Sequence, residues 1–192
     1  MKHFVFLVAL VCVLCASLNP VKAVSNTELQ DTSRFARIIS KGDTGGGDGK
    51  YIELSTIRNN STDAHTKNIE AKIYVVLPSS DLIREYKVRY DYDLNLSFAN
   101  MVAKAPELKT RLPDFSLNEL WNIKMMEAGI VGMVLNQQDY TLNGESKPTQ
   151  PPLKGYENVT FLTPTDFDFE SYHVANRIFK IVYGTFYDDV IR

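Results

Sequence analysis

Apolar side chains occupy every second position of the chain between residues 86 and 98. Polar residues fill the positions between them, and the apolar positions are Tyr86, Val88, Tyr90, Tyr92, Leu94, Leu96 and Phe98. Successive side chains of a β-strand point to opposite faces, so this alternation predicts a strand with one buried and one solvated face. Such a strand indicates an antiparallel sheet, because parallel strands are usually covered on both faces.

Shorter apolar patterns predict further strands on both sides of this one. The pattern that begins at residue 69 alternates in the same way, and Pro78 ends it. The dipeptide Asn143-Gly144 is typical of a tight turn between two strands. The predicted strands cover residues 51–57, 69–77, 130–135, 138–142 and 159–162.

A helix is predicted over residues 116–128. Ser116 and Glu119 form a capping box, and apolar residues recur at helical spacing after it. Gly129 then ends the helix, as glycine commonly does.

The two ends of the chain carry less regular patterns. Thr27 and Gln30 match a capping box, which predicts a short helix within residues 27–40. Residues 169–186 are rich in aromatic and β-branched side chains and fit a helix or a strand about equally well. Together the elements predict an α+β fold, a single domain in which a mainly antiparallel β-sheet packs against one to three helices.

Residues 1–23 have the three parts of a cleavable secretory signal peptide. Lys2 provides the basic start, an uncharged apolar run extends over residues 4–16, and Val21 and Ala23 are the small residues of the cleavage site. A membrane anchor is the alternative, but the run is shorter than the roughly 18–20 apolar residues of a spanning helix. We therefore expect cleavage after Ala23, no transmembrane anchor and a secreted, extracellular protein.

Cleavage leaves residues 24–192, which is the length of one globular domain. It removes Cys12 and Cys15, so the mature domain has no cysteine for disulfides, thiolate metal sites or nucleophilic catalysis. Loss of Lys2 and Lys22 leaves 19 basic against 23 acidic residues, a formal net charge of −4. No basic cluster remains, which argues against nucleic acid as a partner.

Four asparagines match the acceptor sequence for N-glycosylation, a surface modification of secreted proteins. They are Asn59, Asn60, Asn95 and Asn158. Asn59 and Asn60 lie in a polar stretch that we expect to be an exposed loop. Chance occurrence is the alternative, since such tripeptides are common.

Acidic residues near the C-terminus are the candidates for acid–base catalysis. Asp166, Asp168 and Glu170 alternate with aromatic residues, and paired carboxylates serve as acid and base when their pKa values differ. A solvated strand edge explains the same pattern, because charge at an edge discourages aggregation. His173 is a further candidate, although Ser171, two residues before it, would not face it on a strand or a helix.

Asp91, Asp93 and Asn95 are spaced like the start of a calcium-binding loop. Such loops also need glycine at the sixth position and glutamate at the twelfth, where this chain has Leu96 and Val102. The polar face of the predicted strand accounts for the three residues. We therefore predict no metal site and no cofactor.

These observations favour a secreted, non-enzymatic binding protein that acts through contacts with an extracellular protein or glycan. One alternative is a secreted enzyme of unrecognised type, such as a hydrolase that uses Asp166, Asp168 and Glu170. Another is a carrier that encloses a small apolar ligand against the tyrosine-rich face of the strand over 86–98. Loss of an activity in an Asp168→Asn variant would identify the enzyme, and a copurifying ligand would identify the carrier.

Overall fold

A computed structural model describes residues 23–38, 49–111, 117–164 and 169–188. Apart from Ala23, the predicted signal peptide over 1–23 lies outside these ranges. The catalytic candidates Asp166 and Asp168 lie outside them as well.

Eight strands and three α-helices form the regular structure of the described residues. The strands are β1 (Phe35–Ile38), β2 (Gly49–Glu53), β3 (Arg58–Asn59), β4 (Thr66–Leu77), β5 (Leu82–Asp93), β6 (Ile130–Tyr140), β7 (Ser146–Lys147) and β8 (Val159–Leu162). The helices are α1 (Phe98–Arg111), α2 (Leu117–Met126) and α3 (Phe169–Tyr183). None of these helices is both long enough and apolar enough to cross a bilayer.

All eight strands belong to one antiparallel sheet. Its order is β1–β2–β4–β5–β6–β7, while β3 pairs with β4 and β8 pairs with β6. The predicted α+β class, with a mainly antiparallel sheet and one to three helices, is confirmed. Long strands β4, β5 and β6 form the centre of the sheet, so the other strands and α3 are positioned by them.

Helix α3 packs on one face of the sheet, here called the inner face, and completes the larger core. The hydroxyl of Tyr92 on β5 donates a 2.8 Å hydrogen bond to the Ala175 carbonyl on α3, and its ring centroid lies 5.0 Å from that of Phe179. Residues 169–183, for which strand and helix were both open, are therefore helical. The core contains Ile52, Ile69, Ala71, Ile73, Val75, Tyr86, Val88, Tyr90, Tyr92, Ile130, Leu162, Tyr172, Val174, Ala175, Ile178 and Phe179.

The predicted alternation continues to residue 98, but strand β5 ends at Asp93. The Asp93 carboxylate accepts the N–H of Asn95 at 2.9 Å, which closes a 3-10 turn over Leu94–Leu96. Helix α1 follows and begins at Phe98, the last residue of the predicted strand, and no element was predicted for the rest of it. Asp188 accepts the N–H of Phe98 at 2.6 Å, so a distant carboxylate caps the start of α1.

The helix predicted within 27–40 is wrong. Only a 3-10 turn over Glu28–Gln30 forms, and strand β1 begins at Phe35. Thr27 makes no capping bond with its side chain. The capping box is instead formed by Ser25, whose N–H and hydroxyl both donate to the Glu28 carboxylate at 2.8 Å.

A second core on the opposite, outer face explains why this helix is not continued. The ring of Phe35 packs edge-on against Tyr74 with 5.8 Å between the centroids, and an extended chain places it there. The N-terminal segment thereby covers one end of the outer face. The second core contains Ala23, Leu29, Phe35, Tyr51, Tyr74, Val76, Ile83 and Tyr140.

The two strands predicted over 130–135 and 138–142 form the single strand β6. Its pairing with β5 shifts register between Lys87 and Val88, so Leu135 forms a β-bulge and the strand continues through it. The tight turn at Asn143-Gly144 is confirmed, because the N–H of Gly144 donates to the Thr141 carbonyl at 2.9 Å and its φ is +86°.

Candidate binding surface

Strand β8 carries apolar side chains on both faces of the sheet. Leu162 points into the inner core and is fully buried. Val159 and Phe161 point to the outer face, where they are 51% and 64% exposed. Opposite them on β6 lie Met133 and Val131, which are half-buried. An apolar surface therefore spans strands β6 and β8 on the outer face.

We call this surface the β8 face and define it as Val131, Met133, Leu135, Val159 and Phe161. Leu135 follows on β6 and is 41% exposed. The other large apolar side chains exposed in the described residues lie on helices and are Val102, Ile123, Met126 and Ile181. Contiguous exposed apolar surface on a sheet marks an interaction site more often than scattered single residues do.

Close packing on the inner side holds β8 in place. Gly132 of β6 is buried, and a Cβ atom there would lie 3.2 Å from the Tyr90 ring and 3.3 Å from Leu162. Both side chains therefore use the space that a larger residue at 132 would fill. The outer residues of β8 are thus presented by a firmly packed strand.

A ladder of ion pairs borders the β8 face on strands β4 and β5. Lys72 contacts Glu85 at 2.8 Å, and Lys87 contacts Glu70 at 3.2 Å. Nearest to the apolar surface, the Arg89 side chain lies 3.4 Å from the carboxylate of the residue two positions on. Charges on this border are therefore neutralised within the chain.

A buried ion pair joins β5 to the far end of β6. The Arg84 guanidinium donates two 2.8 Å hydrogen bonds to the Asp139 carboxylate and one of 2.7 Å to the Pro151 carbonyl. The N–H of Gln150 also donates to Asp139, at 2.9 Å. Burial alone would raise the pKa of Asp139, but the bonds from Arg84 and Gln150 outweigh it and lower that pKa.

This pair holds the proline-rich loop after β7 against the sheet and shapes a groove of about 340 Å³. Leu77, Leu82 and Leu153 supply apolar lining. Arg84 and Asp139 use their hydrogen-bonding groups on each other and on the loop, so the pair serves to hold the proline-rich loop in place.

A second buried pair joins α2 to the C-terminal segment. The Lys124 ammonium lies 3.0 Å from the Asp188 carboxylate and donates to the Leu96 carbonyl at 2.5 Å. Tyr172 donates its hydroxyl to the same carboxylate. Burial lowers the pKa of Lys124 and raises that of Asp188, because water is excluded from both charges. Both side chains are fully buried, so the pair links segments of the fold and offers no surface to a substrate.

The catalytic candidates are only partly covered by the structure. Glu170 falls in the first turn of α3, and His173 lies half-buried one turn further along the helix. Ser171 is buried beside Gly155, at which a Cβ atom would lie 2.3 Å from the serine hydroxyl. With Asp166 outside the described residues, no assembled catalytic pair is defined by this geometry.

The residues with calcium-loop spacing are used in other contacts. Asp91 accepts a hydrogen bond from Asn68 and faces Arg89. Asp93 accepts from both the N–H and the side chain of Asn95. Within the ranges that the structure covers, no three His, Cys, Asp or Glu side chains are grouped as metal ligands.

All four predicted glycosylation asparagines are exposed at the surface. Asn59 accepts a 3.1 Å hydrogen bond from the Tyr183 hydroxyl, and the Asn95 amide donates within its own turn. Asn60 lies beside the first of these, and Asn158 directly precedes β8. Exposure permits modification at each position.

No protein-family model matches the chain, no curated protein matches its sequence, and no solved structure matches its fold. Function therefore has to be argued from the surface itself. The β8 face was not identified by the sequence analysis, which predicted the strand over 159–162 but not which of its residues are exposed. The available signal was a short strand with apolar residues at Val159, Phe161 and Leu162, that is, on both faces.

Proposed function

We propose that this chain is a secreted, non-enzymatic binding protein and that the β8 face is its contact surface for an extracellular protein. The observation that carries the proposal is the exposure of Phe161, 64% of whose surface is open on a packed strand. A large aromatic side chain in that position gains free energy when a partner covers it.

The size of that gain is enough to matter for affinity. Burying a phenylalanine side chain fully is worth roughly 1.5–3 kcal/mol, and about 1.4 kcal/mol corresponds to tenfold in a dissociation constant. Phe161 is already about one third covered, so the gain lies in the lower part of that range. Val159 and Leu135 add smaller amounts, which suits a contact of moderate strength.

The chemistry of the surface favours a protein over a glycan as the partner. Aliphatic, aromatic and thioether side chains form its centre, whereas sugar hydroxyls require hydrogen-bond donors and acceptors. The ion pairs of β4 and β5 provide a polar border next to this apolar centre, which is the usual arrangement of a protein interface.

A random-peptide library, selected on the immobilised secreted protein, tests the proposal without a known partner. Peptides enriched on the wild type are titrated against it and against Phe161→Asp. Ile181→Asp is the matched control, because Ile181 is 37% exposed on α3, on the other side of the sheet. Equal thermal unfolding of the three proteins verifies that the fold is retained.

We expect the enriched peptides to bind wild type and Ile181→Asp equally and Phe161→Asp at least tenfold more weakly. Enriched peptides that bind Phe161→Asp as well as wild type would contradict the assignment of the β8 face. Failure to enrich any peptide would contradict the proposal that the chain binds protein segments.

A further inference from the structure

The hydrogen-bonding pattern of β8 leaves specific backbone groups open. In an antiparallel pair, directly opposite residues alternate between those that exchange hydrogen bonds and those that do not. The N–H of Val134 donates to the Asn158 carbonyl at 3.2 Å, so these two residues form a bonded pair. The register then makes Thr160 a bonded position and Val159 and Phe161 unbonded ones.

The N–H and C=O groups of Val159 and Phe161 therefore point away from β6, toward the edge of the sheet. No strand of the described residues pairs with that edge. These are the same two residues whose side chains are exposed on the outer face. One short segment thus presents both main-chain groups and apolar side chains in the regular spacing of a strand.

This edge is short, at four residues, but its strand carries none of the other protections that sheet edges commonly have. Natural edge strands carry charges, proline or bulges that prevent another chain from pairing with them. Val159–Leu162 contains none of these residues, and its pairing with β6 shows a regular register. The ion pairs that would discourage pairing lie on β4 and β5, away from the edge.

We propose that β8 binds an extended segment of another protein as an added β-strand, with apolar residues at alternate positions of that segment. The inference rests on the proposed function and names the form of its partner. Main-chain hydrogen bonds to Val159 and Phe161 supply affinity, and side chains beside Phe161 supply selectivity, as in other cases of strand addition.

Charge complementarity determines the chemistry of that segment. Arg89, the basic residue of the border nearest to the β8 face, is neutralised by Asp91 on its own strand. The β8 face itself carries no charged side chain, and the exposed Glu157 before β8 accepts a hydrogen bond from the Thr160 hydroxyl at 3.0 Å. An uncharged segment that alternates apolar and small polar residues fits both the outer face and the edge.

The available area favours a short segment over a second copy of this chain. A stable interface buries about 800 Å² on each partner, and a large aromatic side chain supplies roughly 150–250 Å² when it is fully buried. The β8 face has one partly covered aromatic residue, two exposed smaller apolar residues and two that are half-buried, which is well below that requirement. A short strand needs less side-chain area, because main-chain hydrogen bonds contribute.

Backbone methylation of the ligand tests this mode of binding. The probe is a fluorescein-labelled hexapeptide of alternating valine and threonine, together with a set in which each amide nitrogen is methylated in turn. Alternate N–H groups of an added strand face β8 and the others face solvent. We expect methylation to weaken binding about fivefold or more at every second position only, since a net hydrogen bond is worth roughly 1 kcal/mol.

A proline substitution tests the same edge from the side of the protein. Val159→Pro removes an N–H that points to the open edge and leaves the bonds to β6 in place, which edge strands tolerate. Proline at 159 also destroys the acceptor sequence of Asn158, so this variant and its control are both made in an Asn158→Gln background. Val159→Thr is its control, because threonine keeps the β-branched shape and the N–H and only replaces one methyl group with a hydroxyl. We expect Val159→Pro to lose about fivefold more affinity than Val159→Thr, with thermal unfolding of both variants close to wild type.

The outcomes separate this inference from the proposed function. If Phe161→Asp weakens binding but methylation has no alternating effect, the β8 face binds side chains without an added strand, and the inference is wrong. If the hexapeptide does not bind at all while library peptides do, an alternating uncharged segment is the wrong ligand. A concentration-dependent dimer in sedimentation, lost in Val159→Pro, would overturn the choice of a segment over a second copy.

Discussion

Replacement of Asp139 by asparagine is expected to destabilise the protein strongly, although the two side chains have the same shape. The wild-type carboxylate accepts two hydrogen bonds from Arg84 and one from the N–H of Gln150. Asparagine has one acceptor oxygen, and its amide would direct N–H groups at other donors. Because the Arg84 side chain is only 3% exposed, its charge would be left without compensation in the interior.

Breaking a buried ion pair by removing one partner costs about 3–5 kcal/mol. In a domain of this length, each kcal/mol lowers the melting temperature by roughly 2–4 °C. We therefore expect Asp139→Asn to melt roughly 6–20 °C below wild type in thermal unfolding followed by circular dichroism. Urea unfolding provides the free energy independently.

A double-mutant cycle with Arg84→Met isolates the pair from general damage to the core. In an Arg84→Met background, Asp139 is itself an unpaired buried charge, so Asp139→Asn should then be neutral or stabilising. A loss below about 1 kcal/mol in the single variant, or an equal loss in both backgrounds, would show that Arg84 and Asp139 do not stabilise the fold as a pair.

The same pair predicts a dependence of stability on pH. The folded-state pKa of Asp139 is lowered, so its contribution is fully present above the unfolded value of about 3.9 and is lost as the pH falls through the folded value. The difference in stability between wild type and Asp139→Asn should therefore be constant near neutral pH and shrink below about pH 4. A difference that grows on acidification would contradict the sign of the shift.

Two further substitutions test how the rest of the fold is held. Gly155→Ala should lower the free energy of unfolding by about 1–3 kcal/mol, the usual cost of a strained backbone conformation. The φ angle at this position is +82°, and the added Cβ would meet the Ser171 hydroxyl. Unchanged thermal stability would show that this contact is not close. Lys124→Met should cost about 3–5 kcal/mol near neutral pH, because the Asp188 carboxylate stays buried without its cation. Since burial raises the pKa of Asp188, protonation should relieve part of that loss at lower pH, and a loss that is independent of pH in urea unfolding would count against this account.

The spacing of apolar residues predicted those elements that bury one face against the core. The alternation from Tyr86 onward identified β5 and its buried row, because every second side chain of a strand meets the same core. The capping box before residue 117 likewise located α2. Local chemistry is sufficient in such segments, since their pattern and their packing agree.

The secondary structure of two segments depends on contacts with distant residues, which the local sequence pattern does not show. Residues 169–183 fit either state until α3 is placed against the tyrosines of β5, where Tyr92 bonds to Ala175. Phe35 ends the predicted N-terminal helix because it packs on Tyr74, far along the chain. In both segments tertiary packing overrides the local preference.

The buried charges were missed for a related reason. Arg84 lies on the inner row of β5, two positions before the alternation begins at Tyr86, so the apolar pattern did not mark its position as buried. Only the pairing of β5 with β6 brings Asp139 beside it. Exposure of Phe161 was equally invisible, because the sequence does not show which face of β8 the core covers.

Amide hydrogen exchange, followed residue by residue by NMR with and without the library-selected peptide, shows whether β8 binds the peptide along its open edge. Thr160 and Leu162 already face β6, so their amides should change little when the peptide binds. Val159 and Phe161 should become protected, because their N–H groups would then bond to the added strand. Unchanged exchange at Val159 and Phe161, with protection arising elsewhere in the sheet, would contradict the assignment of β8 as the binding edge.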